Sequence, residues 1–190
     1  MRPARRLSLR TAIFRTDKLN AREPDPTNAL LNVLAGQQRV EGVQVAGSGA
    51  ITSRWHILSS YAFLDSRVVS SQYYPLAVGQ PLANVPKHTF NVWTTYNLPH
   101  RWQVGAGGDY VSSRTASSTV PFDPTTGLLK QVPGYWLVNA MASKAISRRL
   151  ALQANINNIA NAYYYDQLHP AHIVLGPGRS VLVGLKFTVE

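Results

Sequence analysis

Seven tyrosine and histidine side chains lie in or beside loop-like segments. They are Tyr73, Tyr74, Tyr163, Tyr164, Tyr165, His169 and His172. His169 and His172 have the i, i+3 spacing of neighbours on a helix, but Pro170 lies between them and the segment has a loop composition. Zinc sites in proteins use three or four protein ligands. Because no third ligand lies near the two histidines in the sequence, we predict no metal site here.

Two further patterns bear on chemistry. Gly105, Gly107 and Gly108 form a GxGG pattern, but they lie inside an alternating, strand-like segment with no predicted helix after it. We expect these glycines to allow close packing or sheet curvature rather than to bind phosphate. The chain has no cysteine, and its five histidines lack the sequence context of a nucleophilic triad. We predict that the chain is not an enzyme.

The chain carries a formal net charge of +10, which raises the question of nucleic-acid binding. Arginines crowd the first fifteen residues, whereas the remaining basic residues are dispersed, so no continuous basic patch is predicted and we do not expect a nucleic-acid partner. Arg10, Arg15 and Lys18 interrupt every candidate apolar core near the start, so no signal peptide is predicted. The sequence also lacks the run of about eighteen apolar residues that a transmembrane helix needs.

The elements that must position these residues show alternating apolar and polar side chains. Apolar residues occupy the even positions from Leu150 to Ile156 and the odd positions from Val181 to Val189. This period of two predicts β-strands with one apolar face. Six earlier segments alternate in the same way, beginning near residues 7, 39, 55, 87, 102 and 132, which gives about eight strands. The polar stretch 18–36 is predicted to be a loop, as are residues 66–86 and 114–131.

The connections alternate between turns of about three residues and loops of about fifteen to twenty. Outer-membrane barrels have this asymmetry, with short periplasmic turns and long extracellular loops. Trp55 and Trp102 directly follow short turns, where an interfacial aromatic girdle is expected. Asp109 and Arg10 fall on the predicted inward face, where we expect a polar lining, with a ligand pathway as the alternative. The fold class predicted is all-β, an antiparallel transmembrane β-barrel segment.

A soluble β-sandwich or lipocalin-like barrel would also alternate, with its apolar face inside. The second face of these strands is rich in Asn, Gln, Ser, Thr and Gly and holds few charges. A solvent-facing surface usually carries more Lys and Glu. The composition of this face therefore favours the membrane barrel.

Several segments in order resemble the C-terminal part of TonB-dependent siderophore receptors of Gram-negative outer membranes. They are GQQRVEGVQVAGSGAITSRWHILSSYAFLDS, NVPKHTFNVWTTYNL, VPGYWLVNAMASKAI and LALQANINNIANAYYYDQ. The resemblance covers nearly all of residues 7–189. It implies that residues 1–190 are the C-terminal part of a 22-stranded barrel, with neither the plug domain nor the N-terminal energy-coupling segment of the family. The sequence departs from the family in having three residues after Phe187, where members commonly end on an aromatic residue.

The resemblance also implies partners. The complete receptor would lie in outer-membrane lipid, transport a ferric siderophore as its ligand without a bound cofactor of its own, and contact the TonB complex only through its N-terminal region. The seven tyrosines and histidines named first would then contact the ligand from extracellular loops, and an interfacial aromatic girdle is the alternative role for the tyrosines. The segment YYYDQLHPAH is similar to catecholate-type receptors. As a C-terminal fragment, the chain is expected to be inactive alone.

A second hypothesis is an autonomous eight-stranded outer-membrane barrel with a structural or adhesion role. Eight strands suffice for closure. Closure would require the strand containing Leu9 to pair with the strand containing Val183.

Overall fold

The computed structural model describes residues 7–28, 30–117, 128–169 and 172–188, and these residues form an all-β fold. The strands, in chain order, are β1 (Leu7–Pro24), β2 (Asn32–Ala50), β3 (Trp55–Ser70), β4 (His88–Leu98), β5 (Trp102–Val111), β6 (Arg114–Thr115), β7 (Gln131–Val132), β8 (Tyr135–Ala145), β9 (Leu150–Asn157), β10 (Tyr165–Leu168), β11 (Ile173–Leu175) and β12 (Ser180–Phe187). Two single-turn 3-10 helices, Pro75–Ala77 and Pro99–Arg101, are the helical segments of this part of the chain. No described helix is long and apolar enough to cross a bilayer.

Eight of the strands form one antiparallel sheet, confirming the predicted number. Its order is β1-β2-β3-β4-β5-β8-β9-β12, and β6-β7 and β10-β11 form separate two-stranded sheets. The sheet is open between β1 and β12, since Leu9 pairs with Gly47 and Val183 pairs with Ala154. The hypothesis of an autonomous closed barrel required these two strands to pair with each other. For the described residues, that pairing is wrong.

Short turns join the strands at one end of the sheet, as predicted. The Thr52 Oγ1 atom accepts hydrogen bonds from the backbone N–H groups of Arg54 and Trp55. The β4–β5 turn places His100 and Arg101 in the left-handed region, with φ of 58° and 62°. Such backbone geometry reverses the chain within three residues.

The prediction of a loop over residues 18–36 is wrong in its extent. β1 continues to Pro24 and β2 begins at Asn32, so the connection shrinks to residues 25–31. Polar composition predicted a loop, but pairing with a neighbouring strand satisfies the backbone, and a register shift between Lys18 and Ala21 absorbs the irregularity. β3 also extends beyond its predicted end, to Ser70.

One face of the sheet carries two rows of aromatic side chains. The upper aromatic row is a single register line across four strands, formed by Tyr61, Phe90, Tyr110 and Trp136. The lower aromatic row lies beside the short turns and contains Trp55, Tyr96 and Trp102. Tyr110 and Trp136 have ring centroids 4.9 Å apart, and the Trp55 indole N–H donates to Thr94 Oγ1 at 2.6 Å. The predicted positions of Trp55 and Trp102 in a row near the turns are confirmed.

The distance between the rows fits an apolar layer. Trp102 and Tyr110 lie eight positions apart on β5. At a rise of about 3.4 Å per residue and a strand tilt of about 40°, they differ in height by about 20 Å. Large apolar side chains on this face remain exposed, among them Ile13, Val181 and Phe187. We call it the outward face.

The opposite, inward face is polar and internally hydrogen-bonded. Asp109 accepts hydrogen bonds from the side-chain amides of Asn91 and Asn139, the latter at 3.0 Å. The Asn139 side-chain oxygen Oδ1 in turn accepts a hydrogen bond from the backbone N–H of Asn158 at 2.9 Å. The expectation that Asp109 belongs to a polar lining is confirmed by this network. Arg10 lies on the same face, at the position that pairs with Ala46.

Trp93 is a large aromatic side chain on the inward face, and it explains two of the GxGG glycines. It pairs in register with Gly107. A Cβ atom added at Gly105 would lie 3.0 Å from the Trp93 ring, and one added at Gly107 would overlap it more severely. The expectation that the glycines allow close packing is therefore confirmed.

Candidate functional site

The predicted ligand-contacting residues lie at the end of the sheet with the long loops, in two groups. The first group is Tyr73 and Tyr74, in the connection between β3 and β4. The Tyr74 hydroxyl donates to the backbone oxygen of Pro24 at 3.1 Å, and its backbone N–H donates to Ser71 Oγ at 2.9 Å. Tyr74 therefore ties this loop to the outer end of β1. Tyr73 is 40% exposed and is the member of the pair open to a ligand.

The second group is Tyr163, Tyr164 and Tyr165, which follow β9. Tyr163 is 74% exposed, and its ring meets that of Tyr165 edge to face at 5.8 Å. Tyr164 is only 9% exposed, because its ring packs 4.6 Å from that of Tyr135 and covers Gly176. The glycine is required there, since a Cβ atom would overlap the Tyr164 ring. Tyr164 thus packs against the rest of the loop, whereas the Tyr163 ring is exposed to solvent.

Burial also changes the acidity of Tyr164. Desolvation raises the pKa of its hydroxyl above 10.0, and the nearby Asp166 carboxylate and Tyr135 raise the pKa further. The neutral phenol is therefore the form that the folded loop favours.

The two histidines of the HPAH segment stand together at the tip of the β10–β11 hairpin. The rings of His169 and His172 stack with centroids 4.6 Å apart, and the His169 N–H donates to the His172 backbone oxygen at 3.0 Å. Pro170 lies outside the described residues. In the part of the chain that the structure describes, no three His, Cys, Asp or Glu side chains are grouped as a metal site would need.

Arg114, which sequence reasoning did not single out, connects three outer loops. Its guanidinium donates to the backbone oxygen of Tyr165 at 2.6 Å and of Asp166 at 3.2 Å. It also donates to Asn84 Oδ1 at 3.1 Å, and its charge lies 5.8 Å from the centre of the Tyr135 ring. The residue is 9% exposed. The only available signal in the sequence was one charge within the otherwise uncharged stretch VSSRTASS.

A cavity of 440 Å³ adjoins Arg114 at the outer end of β3. Its lining includes three cations, Arg67, Lys87 and Arg114, but only one carboxylate, Asp65. This size lies within the range of small-molecule sites. Arg67 pairs with Asp65 and also with Glu41 beside the cavity, which leaves an excess of about one positive charge. This charge favours an anionic group in the cavity, which we call the cationic recess.

Comparison with known protein families identifies the family to which this chain belongs. A model of the TonB-dependent receptor-like β-barrel matches residues 2–159, which is most of the chain. The chain belongs to this family. The resemblance drawn from the sequence segments is thereby confirmed, and the open eight-stranded sheet is a segment of a receptor barrel.

Individual relatives agree with this assignment. The chain is 34% identical over 186 residues to the probable TonB-dependent receptor BfrD of Bordetella pertussis, covering 97% of this chain and 25% of the relative. It is 33% identical to the probable TonB-dependent siderophore receptor PiuA of Acinetobacter baumannii, covering 95% of this chain and 24% of the relative. The chain thus spans about a quarter of the length of these curated relatives.

Solved structures show the same fold. The crystal structure of the siderophore receptor PiuA from Acinetobacter baumannii superposes with a TM-score of 0.80 at 31% identity, covering 95% of this chain and 26% of that one. The ferric-catecholate import receptor Fiu of Escherichia coli K12 superposes with a TM-score of 0.77 at 26% identity, covering 96% of this chain and 25% of that one.

Proposed function

We propose that this chain forms the C-terminal wall and outer loops of an outer-membrane receptor that imports ferric siderophores. The observation that carries the proposal is the barrel family match, together with relatives described as siderophore receptors. In this role β1–β5, β8, β9 and β12 form part of the barrel wall. The receptor takes energy from a TonB partner through a region outside the matched quarter.

The outer loops supply the ligand-gathering surface in this proposal. Tyr73 and Tyr163 are the strongest candidates among the seven residues, because their rings are exposed. Tyr165, His169 and His172 belong to the same loop as Tyr163 and form the next group. Tyr74 and Tyr164 act mainly by holding the loops, because the Tyr74 hydroxyl is bound to Pro24 and the Tyr164 ring is buried.

A catecholate is the siderophore class that we propose. Ferric catecholates are anionic and present flat aromatic rings, which suit exposed phenol rings and the cationic recess. The likeness to Fiu, a ferric-catecholate import receptor, supports the same class. Metal ions enter this proposal only as cargo of the siderophore.

The test is a chimera in which this chain replaces the corresponding quarter of Acinetobacter PiuA, expressed in a strain without that receptor. Uptake of radioactive iron from ferric catecholates is measured, with surface labelling to verify export. We expect uptake to persist in the chimera. The Tyr163→Ala variant should reduce it severalfold, whereas Tyr163→Phe, which keeps the ring, should reduce it less. A surface-exposed chimera that takes up no ferric catecholate would contradict the proposal.

The isolated chain provides the second measurement. We expect it to give no uptake, because β1 and β12 are unpaired edges of the sheet formed by the described residues, and lipid does not tolerate unpaired backbone groups. Growth on a ferric catecholate with this chain alone would show that the rest of the barrel is not needed.

A further inference from the structure

Six charged side chains form a compact cluster on the outward face of β1, β2 and β3. They occupy two adjacent register lines, Arg15–Glu41–Asp65 and Asp17–Arg39–Arg67. The next register line toward the turns, Ile13–Val43–Phe63, is entirely apolar. We call the six residues the charged ladder. It marks the level at which the outward face changes from apolar to ionic.

The position of the ladder matches the edge of an apolar layer. On the same face of β3, Phe63 lies one step beyond Tyr61 and Asp65 lies two steps beyond it, so the ladder begins two register lines above the upper aromatic row. In membrane barrels, aromatic girdles flank the apolar band, and charges on the lipid face are costly at mid-depth but tolerated near the interface. The ladder therefore lies at the height of lipid head groups.

The ion pairs within the ladder leave some arginine N–H groups available as hydrogen-bond donors. Arg39 Nε lies 2.6 Å from Asp17, and Arg15 Nε lies 2.8 Å from the same carboxylate. Arg15 and Arg39 make all their ion pairs with described residues through Nε, so their terminal N–H groups remain available. The Arg15 side chain is 53% exposed. Arginine presents such N–H groups as a planar fork that matches a phosphate.

A groove runs from the apolar line into the ladder. Its volume is 750 Å³, and its lining joins Ile13, Val43 and Phe63 to Arg15 and Lys87. The Lys87 ammonium lies 5.7 Å from the centre of the Phe63 ring. Glu41 and Asp65 also line the groove, and both carboxylates are engaged by ladder arginines. With Lys87 included, four cations face three carboxylates, which leaves one positive charge.

We propose that this groove binds one phosphate-bearing lipid of the surrounding membrane, and that Arg15 and Lys87 hold its phosphate. The acyl chains lie on Ile13, Val43 and Phe63, and the phosphate accepts hydrogen bonds from the Arg15 fork and the Lys87 ammonium. Salt bridges between exposed side chains contribute little on their own, so pairing alone does not explain a ladder placed above an apolar groove. Lipid binding would use both the positive charges of Arg15 and Lys87 and the apolar side chains that line the groove.

The experiment counts bound lipid by native mass spectrometry on the PiuA chimera described above, purified in detergent, because the isolated chain leaves both edges of its sheet open. Dioleoyl phosphatidic acid is the probe, dioleoyl phosphatidylcholine tests the effect of a zwitterionic head group, and oleate supplies an anion without phosphate. We expect phosphatidic acid to be retained at least fivefold more than oleate. The double variant Arg15→Gln, Lys87→Gln should lower retained phosphatidic acid at least fivefold. The matched control is Arg10→Gln, which removes one charge from the inward face of the same strand and should change retention less than twofold.

Two further measurements make each outcome decisive. Circular dichroism verifies that every variant keeps its β-structure, and Arg15→Lys, which keeps the charge but loses the fork, serves if the double variant does not fold. Its expected loss is about two- to threefold. Equal retention of phosphatidic acid by the unsubstituted and the substituted chimeras would overturn the proposal. Displacement of the lipid by millimolar inorganic phosphate would also overturn it, because the site would then recognise free phosphate.

Discussion

Replacing Arg114 by Met should release the loop that carries Tyr163 and Tyr165. Methionine fills similar space but removes the charge and every donor. Three hydrogen bonds disappear, to the backbone oxygens of Tyr165 and Asp166 and to the Asn84 side chain. The loop then keeps its own hairpin pairing and the packing of Tyr164.

The size of the effect follows from these contacts. A hydrogen bond from a charged group contributes about 1.5–3 kcal/mol, and two of the three here are long, at 3.1 and 3.2 Å. We therefore expect the free energy of local opening to fall by about 3–5 kcal/mol. Since about 1.4 kcal/mol corresponds to a factor of ten, amide exchange in the loop should accelerate by at least about a hundredfold.

Hydrogen–deuterium exchange on the PiuA chimera in detergent measures this directly. The reporter is the Gly176 N–H, which donates to the Tyr164 backbone oxygen at 2.9 Å. Asn84→Ala removes one contact of the three and should accelerate exchange by about fivefold, equivalent to about 1 kcal/mol. Arg148→Met, an exposed arginine in the turn at the opposite end of the sheet, is the matched control. If Arg114→Met changes Gly176 exchange less than threefold, Arg114 does not hold the loop.

Three other predictions concern packing and pH. Gly107→Ala should destabilise the chimera by about 1–3 kcal/mol in urea titrations, because the added methyl group overlaps both the Val92 backbone oxygen and the Trp93 ring; an unchanged midpoint would refute the close packing. Burial raises the pKa of Tyr164 above 10.0, so its contribution to loop stability is complete below pH 10 and is lost as the pH rises through the raised pKa. In Tyr164→Phe, the late-titrating absorbance at 295 nm should be smaller by the amplitude of one tyrosine. Hydrogen bonds from Thr27 lower the pKa of Asp25 below 3.8, so the stabilisation of the β1–β2 turn is present above pH 3.8 and is lost as the pH falls through the lowered value. Proteolysis at residues 25–31 should increase over that acidic range, and Asp25→Asn should remove the dependence.

The strands and their faces were predictable because alternation is a local property of the sequence. Apart from Val111 and Leu182, the large apolar residues of β5 and β12 occur at every second position, so the outward face could be predicted without knowing the neighbouring strands. Turn chemistry is similarly local, as at Pro99–Arg101. From these local features, the eight strands of the main sheet could be predicted along the chain.

Other features depend on residues that are distant in the sequence. Residues 18–24 of β1 are polar, and their strand structure follows from pairing with β2. Arg114 meets Tyr165 across 51 positions, so no window of sequence contains both. Trp93 contradicts the alternation of β4, and its place on the polar face makes sense only beside Gly105 and Gly107. Predicted ligand contacts at Tyr73 and Tyr163 stay predictions, since they depend on a molecule outside the chain.

The unequal lengths of the strands give the outer rim of this wall a slope. β1 and β2 contain 18 and 19 residues, whereas β9 and β12 contain eight each. About ten tilted residues cross a bilayer, so the surplus of about eight residues raises the rim over β1 and β2 by about 20 Å. The rim over β9 and β12 is lower, and the loop that contains Tyr163 extends from it. In the described part of the wall the rim is therefore higher over β1 and β2 than over β9 and β12, and we expect a large molecule to reach the outer loops more easily from the β9–β12 side.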